Sequence, residues 1–454
     1  MPKTATNWAA AALFSLFIAG SLQAQAPATA PENSPLPSIE SLEQQSAEAF
    51  AAGDAQRAYE INLQLHQRRP YAVEYMVDAV RAAALQDNKT EAYEMMLKMQ
   101  RQGLSYDFSQ TDDTLKIRRT EVYMYVNDLM VEAGKPAGEA QLAFTVPGAP
   151  ADFQAIAWDA SRGKFLVGTA ARGTVLAVAE DGSAEVLLKA SDNKGMWSVN
   201  GLAADSGRNR LWVSTAATPK FEGFAPAEEN QGALLEFNLE TLEPVNQFFL
   251  PIDTLPHELG SLALTEDGHV YVIDRALPVV YRKTPDGDRL EAFVGSHDLV
   301  SFSDLAVTPD NSRLFVTDPS MGVFVVDPLA QQATMLGGPD NLNLGGIEGI
   351  EYAAGKLYIV QGGLQPQRLM RLELAASGST VESVAPMAVA LPGFNRPGIG
   401  AVLGEAMYYF ANPGATEGAD GVQVMRTPLQ SGQSIVPPDL RKFQQSLKNR
   451  QQQG

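Results

Sequence analysis

The stretch Ser198-Val-Asn-Gly-Leu-Ala-Ala-Asp-Ser-Gly-Arg-Asn-Arg-Leu-Trp-Val-Ser-Thr215 decides the fold, because much of the chain after Pro150 repeats it in edited form. It opens on a short apolar run (Val199, Leu202, Ala203), turns through Asp205 to Asn209, and closes on a β-rich run from Leu211 to Val213. That pattern reads as strand, tight turn and second strand.

Six segments align on it: Phe153-Gln-Ala-Ile-Ala-Trp158, Val199-Asn-Gly-Leu-Ala-Ala204, Leu259-Gly-Ser-Leu-Ala-Leu264, Phe302-Ser-Asp-Leu-Ala-Val307, Ile347-Glu-Gly-Ile-Glu-Tyr352 and Arg396-Pro-Gly-Ile-Gly-Ala401. Five lead into closely related β runs, such as Leu211-Trp-Val-Ser-Thr215 and Leu314-Phe-Val-Thr-Asp318; the sixth, Met407-Tyr-Tyr-Phe410, is looser. Their fourth residues, at 156, 202, 262, 305, 350 and 399, are spaced by 46, 60, 43, 45 and 49. Third strands are expected at 174–179, 233–238, 279–283, 322–326, 367–372 and 422–427, with fourth strands in five units, for example at 185–188 and 290–294. A period of about 45 residues with four strands per unit is that of a β-propeller blade.

The long second step comes from an insertion at 219–231, expected as a surface loop and a candidate lid. After Thr427 the sixth unit has no fourth strand, and the lone β run at 141–146 is its natural filler. Pairing of the two closes the ring and leaves no sheet edge open. The runs around Asn200–Thr215 and Ser303–Asp318 resemble the senescence-marker-protein/gluconolactonase family of six-bladed propellers and its NHL-like relatives, over roughly 141–428.

Upstream the hydrophobic period is helical. Helices are expected from Ser38 to Gly53, 54–69, 71–86, 89–102 and 118–133. The triplet Ala58-Tyr59-Glu60 recurs as Ala92-Tyr93-Glu94, an offset of 34 residues that resembles tetratricopeptide repeats, without that family's tryptophan or leucine-glycine step. Such a segment is either a short peptide-binding surface or a cap packed on the propeller. Met95, Met96, Met99, Met124 and Met130 are expected mainly as core filling. The division is therefore a leader at 1–26, a proline-rich linker at 27–37, a helical domain at 38–138, an all-β six-bladed propeller at 139–428 and a polar tail at 429–454.

The leader has one early cation (Lys3), an apolar run from Trp8 to Ile18 and small residues at Ala24 and Ala26, the pattern of a cleaved signal peptide. Together with the absence of cysteine it points to a periplasmic or secreted protein, and it excludes disulfides and thiol catalysis. A formal net charge of −19 argues against nucleic acid as a partner, and no membrane span is expected after the leader.

The residues just before the inner strands are expected at the axial mouth: Gln154, Asn200, Gly260, Ser303, Glu348 and Pro397. The resemblance implies one divalent cation there, calcium or zinc, held by oxygen ligands. Carried over residue by residue, it names Asn200 and Glu348, with Gln154 where the family typically has glutamate, and Asp304 one position out of register. Gly260 and Pro397 offer no side-chain oxygen. His257 is the candidate general base, and Glu348 is the second catalytic candidate; His297 also precedes an inner strand. No Gly-x-Ser-x-Gly elbow, His-Glu-x-x-His or phosphate loop is present. Two readings stay open: a propeller that binds a small molecule or protein at a degenerate mouth, and a divalent-metal lactonase or ester hydrolase.

Overall fold

A computed structural model describes residues 37–433, apart from 149–151, 252, 254, 297–298, 300 and 415–420. The leader, all but Pro37 of the linker, His297 and the tail beyond 433 lie outside the described residues.

Five helices come first: α1 (Ile39–Ala51), α2 (Ala55–Arg68), α3 (Val73–Leu85), α4 (Lys89–Arg101) and α5 (Glu121–Ala133). Their starts follow from capping chemistry. Ser38, Asp54, Asn88 and Thr120 each accept a backbone N–H from the first turn of the helix they precede. Met96, Met99 and Met130 are fully buried among Val80, Phe108 and Ile117, whereas Met124 is exposed. No helix among the described residues is long and apolar enough to cross a membrane.

The rest is a six-bladed β-propeller. Blades one to four are four-stranded antiparallel sheets in simple sequence order, starting at the inner strands Phe153–Asp159, Ser198–Asp205, Leu259–Leu264 and Leu305–Val307. Blade five starts at Ile347–Ala353 and gains a fifth strand, Ala137–Gly138, outside Val381–Val389. Blade six takes Gly400–Leu403, Ala406–Phe410 and Val422–Pro428, and its outer strand is Gln141–Val146, which pairs antiparallel with Val422–Pro428. The chain leaving α5 thus lies first along blade five and then closes blade six.

Stability resides between the blades. Side chains alternate across each strand, so one strand feeds two interfaces. Leu211 and Val213 pack with Ala155, Ala157 and Leu166 of blade one, while Trp212 between them packs with Leu259, Val270 and Val272 of blade three. The other interfaces repeat the scheme, ending where Phe410 and Val424 of blade six meet Ile156 and Phe165 of blade one.

Because strand direction alternates, the loops between second and third strands and those between blades share one end of the ring, with the start of every inner strand. The helical segment docks at this mouth end, on blades four and five. Tyr71 N–H donates to the Ser320 carbonyl (3.0 Å) and Ser105 N–H to the Gln365 carbonyl (2.9 Å). Gly345 lies so close to the Tyr71 carbonyl that a Cβ there would overlap it. Arg368 is the buried fastener: Nη1 donates to the Gln102 and Gly103 carbonyls (both 3.0 Å) at the end of α4, and Nε to Gln361 Oε1 (2.7 Å). Burial lowers its pKa to about 10.

Candidate functional site at the axial mouth

Each blade delivers the first residues of its inner strand to the mouth, and in most blades the register slips there. Such slips lie between Phe153 and Ala155, Val199 and Gly201, Leu259 and Leu262, and Ile347 and Gly349. A bulge of this kind leaves a residue out of the ladder and re-aims its side chain. Gln154, Asn200, Gly260 and Glu348 all fall within these slips.

Their side chains are committed to neighbours. Asn200 is buried and its Nδ2 donates to the Leu259 carbonyl of blade three (2.8 Å), so it braces one blade against the next. Ser303 Oγ does the same toward blade five, donating to the Ile347 carbonyl (2.7 Å). Gln154 donates through Nε2 to Asp152 Oδ1 (2.7 Å). Its Oε1 accepts from Arg275 Nη1 at 2.8 Å. Glu348 Oε1 accepts from Arg396 Nη2 at 2.6 Å, an ion pair that raises the guanidinium pKa further.

Arg275 is the residue that the repeat pattern does not announce. It follows the second strand of blade three (Val270–Asp274) and reaches blade one, so its side chain crosses the mouth as a chord past blade two. Gly260 makes room: a Cβ there would lie 2.6 Å from Arg275 Nε and 3.0 Å from its Cγ. The sequence signal was present as a glycine at the mouth position of the blade whose second strand is followed at once by an arginine. Arg396, just before the inner strand of blade six, stood in the quoted repeat without a charge partner assigned to it.

The turn that carries Arg275 is tied from several sides. Asp274 Oδ1 accepts the N–H groups of Glu258 (3.0 Å), Ala276 (3.0 Å) and Leu277 (3.2 Å), and its Oδ2 lies 2.7 Å from His257 Nδ1. Arg275 N–H donates to the Glu258 carbonyl (2.8 Å), and Ser301 Oγ donates to the Arg275 carbonyl (3.1 Å). His257 is therefore a buried member of this support, its side chain 3% exposed, with Nε2 3.3 Å from Asp253 Oδ1. The structure does not bring it together with Glu348 in any described contact.

Beside the mouth Asp304 is buried and its Oδ2 accepts the Ile350 N–H (2.8 Å). Burial raises its carboxyl to about 6, with that N–H and the Arg275 charge opposing. Glu351, half-buried on the inner strand of blade five, is pushed well above the usual carboxylate range by desolvation first and by the Asp304 charge second.

The donor set does not fit a divalent cation. Calcium takes six to eight oxygens and zinc four ligands. Here three of the four carried-over residues have an oxygen engaged by a donor, Gln154 Oε1 by Arg275, Glu348 Oε1 by Arg396 and Asp304 Oδ2 by the Ile350 N–H, while Asn200 is held to the Leu259 carbonyl through Nδ2. A fixed guanidinium also occupies the mouth, and like charges at close range oppose a second cation. Among the described residues no three His, Asp or Glu side chains converge to hold a metal.

The insertion after blade two's second strand folds back on the mouth-end loops. Glu222 N–H donates to the Ala171 carbonyl (2.8 Å), and Trp197 Nε1 donates to Glu228 Oε2 (3.1 Å). Away from the axis, a groove of about 480 Å³ in the helical segment is lined by Glu43, Phe50, Asn62, Tyr75 and Asp78.

No family model matches the chain, and no curated protein matches it in sequence. Solved structures do resemble it. An aldose sugar dehydrogenase from Streptomyces coelicolor, determined with PQQ bound, is 17% identical and aligns over 64% of this chain and 100% of its own, with a TM-score of 0.45. A gluconolactonase from Xanthomonas campestris is 15% identical over 65% of this chain and 91% of its own, TM-score 0.45. A putative gluconolactonase is 14% identical over 66% and 94%, TM-score 0.44. The likeness is one of fold.

Proposed function

We propose that the chain is an exported binding propeller that takes a small-molecule ligand at its axial mouth, with the helical segment as a fixed wall on blades four and five. The observation that carries this reading is the Arg275–Gln154 hydrogen bond at 2.8 Å, which places a guanidinium across the mouth where a metal lactonase needs open oxygen ligands. An arginine keeps its charge at every working pH and offers donors only, so it binds and orients but supplies neither nucleophile nor base. His257 is withdrawn into the support of Asp274, which removes the candidate base from the mouth.

The test uses the purified full chain, dialysed and analysed for divalent metals, then assayed for lactone hydrolysis with and without added calcium or zinc. Substoichiometric metal and hydrolysis at the buffer rate are expected. One tightly held cation per chain, with hydrolysis that is lost in Glu348→Ala, would overturn the reading in favour of a metal-dependent lactonase.

A further inference from the structure

We infer that the mouth is an oxyanion site, in which the guanidinium of Arg275 recognises a carboxylate or phosphate group of the ligand. The inference rests on the binding reading above and narrows its ligand to a chemical class.

Three observations carry it. First, Arg275 is half-buried and enters no ion pair among the described residues, although the chain has a net charge of −19 and most of its arginines with close partners pair with acids. Its one described side-chain hydrogen bond is Nη1 to the neutral Gln154 Oε1 at 2.8 Å. A guanidinium has five N–H donors in a planar fork, so the edge turned from Gln154 retains donors for a ligand. Two parallel N–H···O bonds to one carboxylate or phosphate are the geometry that such an edge favours.

Second, the position is pre-organised. Asp274 holds the turn through three backbone N–H groups, and Ser301 and Glu258 fix the backbone of Arg275 itself. Gly260 leaves the channel that the side chain needs, since a Cβ there would meet Nε at 2.6 Å. A donor held in place before binding loses less entropy when the anion arrives.

Third, the neighbouring carboxylates are engaged with other partners. Asp304 is buried and feels the Arg275 charge, but its Oδ2 accepts the Ile350 N–H, and Glu348 is paired with Arg396. Asp152 is bonded by Gln154. Among the described residues none of these carboxylates forms an ion pair with the arginine, so its donors are not taken up by an internal acid.

The test is isothermal titration of the full chain with malonate and, separately, with inorganic phosphate, against chloride at matched ionic strength. Saturable binding of at least one of the two oxyanions is expected, weakened by about tenfold or more in Arg275→Gln, the loss of one charge-assisted bidentate contact. Gly260→Ala keeps the arginine but displaces its side chain, and the same loss is expected, which guards against a folding defect in the first variant. The malonate arm identifies a carboxylate site and the phosphate arm a phosphate site. Binding equal to chloride, or oxyanion binding unchanged in both variants, overturns the inference. Metal content and lactone turnover are separate readouts, so failure of the binding reading is distinguishable from failure of this one.

Discussion

His257 Nδ1 lies 2.7 Å from Asp274 Oδ2, and the two side chains are 3% and 0% exposed. The contact joins the loop before blade three to the turn after its second strand, the turn that carries Arg275. A histidine positioned before an inner strand thus serves the mouth from behind.

Replacing His257 by alanine leaves one oxygen of a buried carboxylate without its side-chain partner. Loss of such a hydrogen bond costs about 1–3 kcal/mol. The expected outcome for His257→Ala is a lower urea midpoint with an unchanged denaturant slope, and weaker oxyanion binding as the turn loosens. An unchanged midpoint would show that the three backbone N–H groups on Asp274 suffice without the imidazole.

Gly260→Ala places a methyl group 2.6 Å from Arg275 Nε. The obstacle is part of a flexible side chain, so the guanidinium moves and the strand stays. A modest stability cost, of about 1 kcal/mol, is expected from this overpacking. A crystal structure of the variant should show Nη1 parted from Gln154; an unmoved arginine would refute the steric account.

The ring of six was legible in the sequence because local chemistry repeats: each inner strand carries its apolar pair, and each second strand alternates between two interfaces, as Leu211, Trp212 and Val213 do. The missing fourth strand after Thr427 and the spare run before Pro150 belonged together for the same reason, since an open sheet edge is unfavourable. The helix boundaries followed from caps such as Ser38 and Asp54. The mouth was less legible. Register identified which residues approach the axis, but Arg275 reaches Gln154 across 121 positions of sequence, and no local period encodes that contact. Asn200 and Glu348 carry oxygens suited to a cation; what the sequence could not show is that Asn200 is tied through Nδ2 to the Leu259 carbonyl and that Arg396 engages Glu348 Oε1.

Asp304 and Glu351 predict a pH dependence. Both carboxyls are raised in the folded chain, Asp304 to about 6, so between the unfolded value near 4 and that point the native state binds more protons than the unfolded state. Stability then falls as pH rises through this window and is not recovered above it. Asp304→Asn keeps an acceptor for the Ile350 N–H while removing the charge. Its melting temperature should fall less steeply between pH 4 and about 7 than that of the unmodified chain; parallel curves would exclude Asp304 as the source.

Arg368 tests whether the helices and the propeller unfold together. The residue is 3% exposed, and its side chain bonds the Gln102 and Gly103 carbonyls on one side and Gln361 on the other. Removing it leaves those acceptors facing a dry interface, each unsatisfied group costing about 1–3 kcal/mol. Arg368→Ala is expected to destabilise the chain by about 3 kcal/mol or more, with the helical segment melting ahead of the propeller in calorimetry. Arg368→Lys should rescue little, because one ammonium on a flexible stem cannot reproduce a planar fork that reaches three acceptors. A single unchanged transition in Arg368→Ala would mean that the docking rests on Leu364 and the Tyr71–Gly345 contact instead.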